Sequence, residues 1–220
     1  MSIDLKQLQP LMKPFPEGND IFSNRVEQHL KHIQPLLTIE LSAIKQGWSG
    51  TLHFLTPKEP YEGLVGQSTS EFHNYYSREN CIAFRVDNDK YEFLGDFRYF
   101  ELETQVDAGL IKHYQEVELS LAATKSLFEE HHFLNPWGQL NNPQDWLDEL
   151  GGEPWCGNWS DSFPNEIVND EFCYPLTEDG RRFEYIGSLS GYSYRENAAD
   201  GVLLFFDPVE KIALFIFDWT

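Results

Sequence analysis

The chain has 220 residues, 41% of them hydrophobic, with 17 Phe, 10 Tyr and 6 Trp, and its formal net charge is −20. The apolar and aromatic content excludes a disordered chain, and the length allows one large domain or two small ones. The negative charge argues against binding to nucleic acids or anionic membranes, because both require a positive surface.

The first 18 residues are predicted to lack regular structure, because they include Pro10, Pro14 and Pro16. They have no basic start followed by an apolar stretch, and no window of the chain approaches 18 uninterrupted apolar residues. We therefore expect neither a signal peptide nor a membrane span, and we expect a cytoplasmic protein.

A long helix is predicted from Asp20, an N-cap residue, to Gly47, which can end it. Pro35 lies inside this segment and is expected to kink or divide the helix. His29 and His32 have a spacing that can chelate a metal, but no third ligand of obvious spacing accompanies them, so ordinary helix residues are the preferred interpretation. Apolar residues recur at helical spacings of three and four: Val26, Leu30, Ile33, Leu37, Leu41, Ile44 and Trp48.

The next part of the chain has the composition of strands and a loop. Thr51 to Thr56 is predicted as a strand, and residues 59–80, which are polar and aromatic with two glycines, as a long loop. Cys81 to Val86 and Tyr91 to Phe100 are apolar runs on either side of the turn residues 87–90. These two runs predict a hairpin.

A second long helix is predicted from Thr104, with charged residues away from one apolar stripe. The stripe contains Val106, Leu110, Tyr114, Val117, Leu121 and Phe128. The end of this helix, Glu129 to His132, contains only residue types that can ligate a metal. Consecutive helical residues point in different directions, however, and cannot all face one ion. Residues 133–144, rich in Asn, Pro and Gly, are predicted to be an internal boundary, followed by a short helix over 145–150.

The last third is predicted to hold the core strands. Val202 to Asp207 and Ile212 to Asp218 are rich in β-branched and aromatic residues and predict an antiparallel hairpin. Neither run alternates between polar and apolar residues, so both faces of this hairpin should be covered. The predicted fold class is α+β, mainly antiparallel sheet with two hairpins, packed by two long helices.

The cysteine content predicts free thiols. Cys81, Cys156 and Cys173 are too few and too odd in number for a disulfide framework, which agrees with a reducing compartment. A metal site at Cys156 and Cys173 is the sharper alternative, but no closely spaced second cysteine accompanies either residue. We expect buried thiols.

Four segments of the C-terminal third resemble the YwqG-like family of bacterial proteins of unknown function. They are the turn Leu150 to Trp155, the segment Pro175 to Gly180, the strand Phe183 to Gly187 and the run Asp200 to Asp207. Ser188 stands where that family usually has Gln. The resemblance covers roughly Leu147 to Thr220 and implies an antiparallel α+β protein without an established activity. We divide the chain into residues 1–140, a helix-hairpin-helix half, and residues 141–220, a YwqG-like half that shares its core. Similar modules also occur among bacterial immunity proteins.

The negative charge is unevenly placed along the chain. Between Ser126 and Gly180 there is no Lys or Arg, although twelve residues of this stretch are acidic. A field of one sign over so many residues would speed association with a basic partner. A surface that serves only solubility is the alternative reading.

No complete catalytic motif is present in the sequence. There is no Gly-x-Ser-x-Gly turn and no glycine-rich phosphate loop, and carboxylates are too abundant for any one pair to indicate an acid and a base. We therefore predict no catalytic residue, no cofactor and no metal.

The leading hypothesis is a non-catalytic cytoplasmic binding protein, specifically an immunity protein that neutralises a basic toxin domain through an acidic surface. Tryptophans supply contact area and charges supply association rate, so both types are candidates for the interface. The candidates are Trp137, Trp146, Trp159, Glu153, Asp161, Asp170 and Glu171. Trp155 is expected to pack in the core. The alternatives are an uncharacterised cytoplasmic enzyme and a metal-binding YwqG-like protein.

Overall fold

The computed structural model describes residues 4–60, 63–139 and 141–219. The fold is α+β and mostly antiparallel sheet, with short 3-10 helices in several connections. In chain order the elements are β1 (Met12–Pro14), α1 (Gly18–Ile21), α2 (Val26–His32), β2 (Ile33–Glu40), β3 (Thr51–Pro57), β4 (Ser77–Arg78), β5 (Cys81–Asp87), β6 (Lys90–Phe93), α3 (Ala108–His131), β7 (Glu149–Leu150), β8 (Asn165–Val168), β9 (Phe172–Pro175), β10 (Glu184–Leu189), β11 (Gly201–Asp207) and β12 (Ile212–Asp218).

The strands form three antiparallel sheets. The largest has the order β4-β5-β12-β11-β10-β7, and β6 pairs with β5 beside it. A second sheet has the order β1-β2-β3, and β8 pairs only with β9. Strands from both sides of the predicted boundary at residues 133–144 therefore hydrogen-bond in one sheet. The division into halves at residue 140 stays a prediction.

The terminal hairpin, β11 and β12, lies in the middle of the largest sheet, between β10 and β5. Leu203, Phe205 and Ile216 face one buried cluster, which also contains Trp159. Phe215 and the other alternate residues face a second cluster on the opposite side. The prediction that both faces of this hairpin are covered is confirmed.

The long helix predicted from Asp20 to Gly47 is wrong in most of its length. Only Val26–His32 is helical there, in addition to the single turn at Gly18–Ile21 and a 3-10 turn, whereas Ile33–Glu40 is a strand. Seven of the eight residues of this strand are buried, including the polar Gln34 and Thr38, and its apolar residues alone also fitted helical spacing. Pro35 lies at a register shift between β2 and β3, where its missing N–H is tolerated. Only one long helix, α3, is therefore present among the described residues.

The start of α3 also differs from the prediction. Asp107 caps the helix, because its side chain accepts a hydrogen bond from the Leu110 N–H at 2.8 Å, so the helix begins after Thr104 and Val106. Val106 is 88% exposed in consequence and does not belong to the buried stripe. The stripe itself is confirmed by four buried residues, Leu110, Tyr114, Val117 and Leu121.

Two shorter predictions also need correction. The N-terminal segment, predicted to be irregular, contributes β1, which pairs with β2. Residues 145–150 form no helix and instead end in β7, the edge strand beside β10. Gly187 lies opposite Leu150 in this pairing with a φ of 154°, and a Cβ there would stand 2.4 Å from the Glu149 carbonyl oxygen. Glycine thus permits the close approach of β7.

Among the described residues, no helix is long and apolar enough to cross a membrane.

Candidate protein-binding surface

The acidic stretch of the sequence contains a small exposed hairpin, β8 and β9, with the loop that leads into it. Asn169 and Asp170 form its turn with φ values of 54° and 57°, and the Glu171 N–H donates to the Val168 carbonyl at 3.2 Å. Asn and Asp tolerate this left-handed conformation better than other non-glycine residues, which explains the turn locally. We call residues 153–175 the stapled hairpin.

A disulfide between Cys156 and Cys173 closes the stapled hairpin, with a Cα–Cα distance of 5.0 Å. The expectation of three free thiols is therefore wrong for this pair, and the cysteine argument for a reducing compartment does not apply to it. The number of cysteines gave the wrong prediction, because Cys156 and Cys173 are 17 positions apart in the sequence and only the fold of the hairpin brings them together. Cys81 is a buried free thiol, and burial raises its pKa well above the ordinary value.

The disulfide lies between an exposed and a buried part of the hairpin. Cys156 is exposed, whereas Cys173 is fully buried in the cluster with Trp159 and Phe163. Backbone hydrogen bonds accompany it, from the Cys156 N–H to the Glu171 carbonyl and from the Cys173 N–H to the Pro154 carbonyl, both at 2.9 Å. The loop is thus held against β9 as a third extended segment.

Two large apolar residues of the stapled hairpin are exposed, and the strand registers put them on opposite faces of it. Trp155 is 58% exposed, and its ring lies 4.7 Å from that of Phe172. Ile167 is 61% exposed on β8. Most large apolar side chains that remain in water occur singly, but these two lie on one small element, which is a feature of interaction sites.

The stapled hairpin also carries acidic residues. Glu166 is neutralised by Arg182, which donates to both of its carboxylate oxygens at 2.6 Å and holds the Glu166 pKa below its ordinary value. The other four acidic candidates are exposed, and none of them forms an ion pair within the described parts of the chain. They are Glu153, Asp161, Asp170 and Glu171. The surface therefore keeps an uncompensated negative charge.

The three tryptophans that were predicted to contact a partner differ in burial. Trp146 is fully buried, with its ring 5.2 Å from that of Phe128, and Trp159 is buried with its ring 5.4 Å from that of Phe205. Both predictions of an exposed contact are wrong, because these rings complete the two core clusters. Trp137 is 47% exposed, and no described hydrogen bond, ion pair or ring contact joins it to the stapled hairpin.

Trp155, for which core packing was predicted, is the exposed tryptophan of the hairpin. Gly151 and Gly152 precede it and Gly157 follows it. A tryptophan in a glycine-rich loop lies at the surface more often than a tryptophan in a strand does. The flanking glycines were therefore the sequence signal that Trp155 is exposed.

A buried polar cluster near the end of β3 is the other group of titratable residues that could act as acids or bases in catalysis. Burial raises the pKa of Glu59 to about 8, although its carboxylate accepts hydrogen bonds from the Glu101 N–H at 3.1 and 3.2 Å. Burial lowers the pKa of His32 to about 4, and its ring meets Glu103 at 2.8 Å and the Tyr114 hydroxyl at 3.1 Å.

The same cluster contains a buried arginine. The Arg195 guanidinium donates to the carbonyl of Pro57 at 2.7 Å, and burial lowers its pKa to about 9. Arg195 is fully buried and Glu59 is 2% exposed, so a substrate cannot reach either group without opening the core. The side chains of this cluster join separate elements, since Glu59 and Arg195 hold the chain at the end of β3 and His32 joins α2 to α3 through Tyr114.

Metal binding finds no support in the described geometry. His29 lies against the Arg25 carbonyl and the Phe93 N–H, whereas His32 meets Glu103, so the two rings do not converge. Within residues 4–60, 63–139 and 141–219, no three His, Cys, Asp or Glu residues are grouped closely enough to hold an ion.

Comparisons of the chain with protein-family models, with curated proteins and with solved structures found no match. The resemblance to the YwqG-like family stays a prediction from the sequence.

Proposed function

We propose that this protein is a non-catalytic binding protein that recognises a basic protein partner through the stapled hairpin. The observation that carries the proposal is the combination on one element of exposed Trp155 and Ile167 with four acidic residues that lack ion-pair partners among the described residues. Tryptophan provides contact area at an interface centre, and uncompensated charge raises the rate of association with a partner of opposite sign.

A toxin domain, such as a nuclease, is the kind of partner that this chemistry fits best. Enzymes that act on nucleic acids carry positive surfaces, which an acidic protein can cover. The immunity role and the cytoplasmic location remain part of the same proposal. The disulfide argues against the cytoplasmic part of this proposal, because such bonds persist mainly in oxidising compartments.

The test compares two variants of equal charge. Glu153→Lys with Glu171→Lys changes the hairpin, whereas Glu129→Lys with Glu130→Lys makes the same charge change at the exposed end of α3. Asp170 is left unchanged because its left-handed φ of 57° disfavours Lys. Each variant and the wild type are used to capture partners from lysate of the source cells, and the captured proteins are identified by mass spectrometry.

We expect the wild type and the α3 variant to capture the same basic protein, and the hairpin variant to lose it. The captured protein should also associate more slowly as salt rises from about 50 to 300 mM, because screening acts over about 8 Å at physiological ionic strength. Capture of the same proteins by all three forms contradicts the proposal.

A further inference from the structure

A cavity of ≈ 240 Å³ lies beside the stapled hairpin, between the end of β12 and the 3-10 turn Asn158–Ser162. The loop residues Glu79 and Asn80 close it from the side of β5. Its size suits one amino-acid side chain better than a cofactor, since pockets for larger ligands usually exceed 300 Å³.

Two tryptophans, Trp159 and Trp219, form aromatic walls of this cavity. Trp159 is fixed in position, because its indole N–H donates to the Trp155 carbonyl at 3.0 Å and its ring packs on Phe205. The face of an indole ring attracts cations more strongly than any other aromatic side chain does.

Three carboxylates, those of Glu79, Asp161 and Asp218, also line the cavity. Burial and the neighbouring Asp200 raise the pKa of Asp218, which is a sign that its surroundings lack positive charge. Among the described lining residues none is Lys or Arg. A ligand that enters this space therefore meets negative charge from several sides.

Asn80 provides an independent observation. It lines the cavity and is only 6% exposed, yet its Oδ1 atom has no hydrogen-bond partner. Its backbone is held rigidly, with the N–H donating to Val65 and the carbonyl accepting from Phe217, both at 2.9 Å. A buried acceptor without a donor is unfavourable. The oxygen is covered in this structure, so a ligand in the cavity would donate to it after a small movement of the Asn80 side chain.

We infer that this cavity binds the guanidinium group of an arginine side chain that the basic partner presents. A guanidinium is planar, stacks on indole rings, and directs several N–H donors towards carboxylate and amide oxygens at once. An ammonium group is more compact and more strongly hydrated, and it cannot stack on a ring while donating to both sides.

The cavity adjoins the proposed binding surface through Trp159 and Trp155, so the partner's arginine would enter beside the exposed face of the stapled hairpin. The source of the arginine rests on the proposed function. The affinity of the cavity for a guanidinium group does not, and it can be measured alone.

The first measurement uses the full chain labelled with ¹⁵N and titrated at constant ionic strength. The probes are N-acetyl-arginine amide, N-acetyl-lysine amide and the neutral N-acetyl-citrulline amide, and the readout is the indole N–H signals, assigned with Trp219→Phe and Trp155→Phe variants. We expect the arginine probe to shift the Trp219 signal with a Kd on the order of millimolar. The citrulline probe should cause no saturable shift.

Two variants localise the effect. Asp218→Asn and, at the exposed rim, Asp161→Asn should each weaken the arginine probe about tenfold, because each removes a charged acceptor. Glu129→Gln, at the exposed end of α3, is the control and should leave the Kd unchanged. Equal shifts with arginine and citrulline, equal Kd values for arginine and lysine, or no saturable shift below about 50 mM overturn the inference.

The second measurement separates this inference from the proposed function. The Glu79→Gln and Asp218→Asn variants, which change carboxylates of the cavity that lie outside the stapled hairpin, are used in the capture experiment described above. Loss of the captured protein in both variants supports entry of its arginine into the cavity. Undiminished capture by both variants overturns that entry while the proposed function stands, whereas failure of the wild type to capture any basic protein overturns the proposed function and the assigned source together.

Discussion

Two antiparallel hairpins of this chain have opposite surroundings. In the terminal hairpin, β11 and β12, every residue from Val202 to Asp207 and from Ile212 to Phe217 is buried, and a strand pairs with each outer edge. In the stapled hairpin, β8 and β9 pair with each other and with no other named strand, and Ile167 stays largely in water. Packed layers hold the first hairpin, whereas the second is closed internally by a disulfide and is attached to the rest of the protein by a few residues of one core cluster.

The difference indicates where stability and recognition are located. Burial of apolar surface contributes about 25 cal/mol per Å², so the terminal hairpin should account for a large part of the free energy of unfolding. The stapled hairpin buries less, which leaves its tryptophan and carboxylates available to another molecule. Substitutions in the two hairpins should therefore separate into those that unfold the protein and those that change its binding.

The largest effect is expected from Phe205→Ala. The ring is fully buried and lies 5.4 Å from Trp159 and 5.3 Å from Tyr185, so truncation leaves a cavity. We expect the free energy of unfolding to fall by about 3 to 5 kcal/mol, measured by urea denaturation. Phe217→Ala, on the opposite face, should have a similar effect. If both variants melt within a few degrees of the wild type, the terminal hairpin is not the core.

The next effect concerns the disulfide that closes the stapled hairpin. Cys156→Ser opens a loop with a sequence separation of 17, and loops of this length contribute about 3 kcal/mol to the free energy of unfolding. Denaturation without reductant should show this loss. The matched control is a reducing agent, which should destabilise the wild type to the same extent and leave the variant unchanged. A wild type that ignores the reductant contradicts the role of the disulfide.

The third effect is the pH dependence of the free energy of unfolding, which the buried carboxyl of Glu59 should produce. The pKa of Glu59 is about 8 in the folded protein and has an ordinary value of 4.5 when exposed. Between these values the folded state binds a proton that the unfolded state has lost, so the free energy of unfolding falls as pH rises. From pH 6.5 to 8 the fall should be about 2 kcal/mol. Below pH 6.5 the buried histidines act in the opposite direction, because the His32 pKa is lowered.

The variant Glu59→Gln isolates this contribution. Its amide oxygen can still accept from the Glu101 N–H, but it does not titrate, so stability should stay constant from pH 6.5 to 8. Thermal melts of both proteins across this window measure the difference. Partner capture by the variant should be unchanged, since Glu59 is buried away from the stapled hairpin's exposed face. Parallel melting curves for the two proteins would show that Glu59 ionises normally.

The sequence predicted the terminal hairpin correctly because its information is local. Val202 to Asp207 and Ile212 to Asp218 are strand-length runs with a turn between them, and strands buried on both faces have this composition. The α3 stripe was predictable for the same reason. The segment Ile33 to Glu40 was not predictable, because its apolar residues fit helical spacing as well as strand burial, and only pairing with β1 and β3 decides between helix and strand.

The candidate surface was predictable in its charge but not in its anchors. Absence of Lys and Arg from residues 127–180 is visible in the sequence, and the four acidic candidates are exposed as expected. Which tryptophans are exposed depends on contacts between distant segments, such as Trp146 with Phe15 and Trp159 with Phe205. The disulfide depends on the pairing of the segment around Trp155 with β9, which aligns two cysteines far apart in sequence.

The smallest effect on stability, and the sharpest separation of the two hairpins, is expected from Trp155→Ala. This ring is more than half exposed and has one ring neighbour, Phe172, so its removal should lower the free energy of unfolding by about 1 kcal/mol or less. Capture of the basic partner should nevertheless be lost, because a tryptophan at the centre of an interface commonly contributes 2 kcal/mol or more, about a thirtyfold change in Kd. Leu119→Ala, which removes an exposed apolar side chain from α3, is the matched control and should change neither quantity. A Trp155→Ala protein that melts far lower but still captures its partner would place the tryptophan with the terminal hairpin as a structural residue, and the stapled hairpin would lose its anchor.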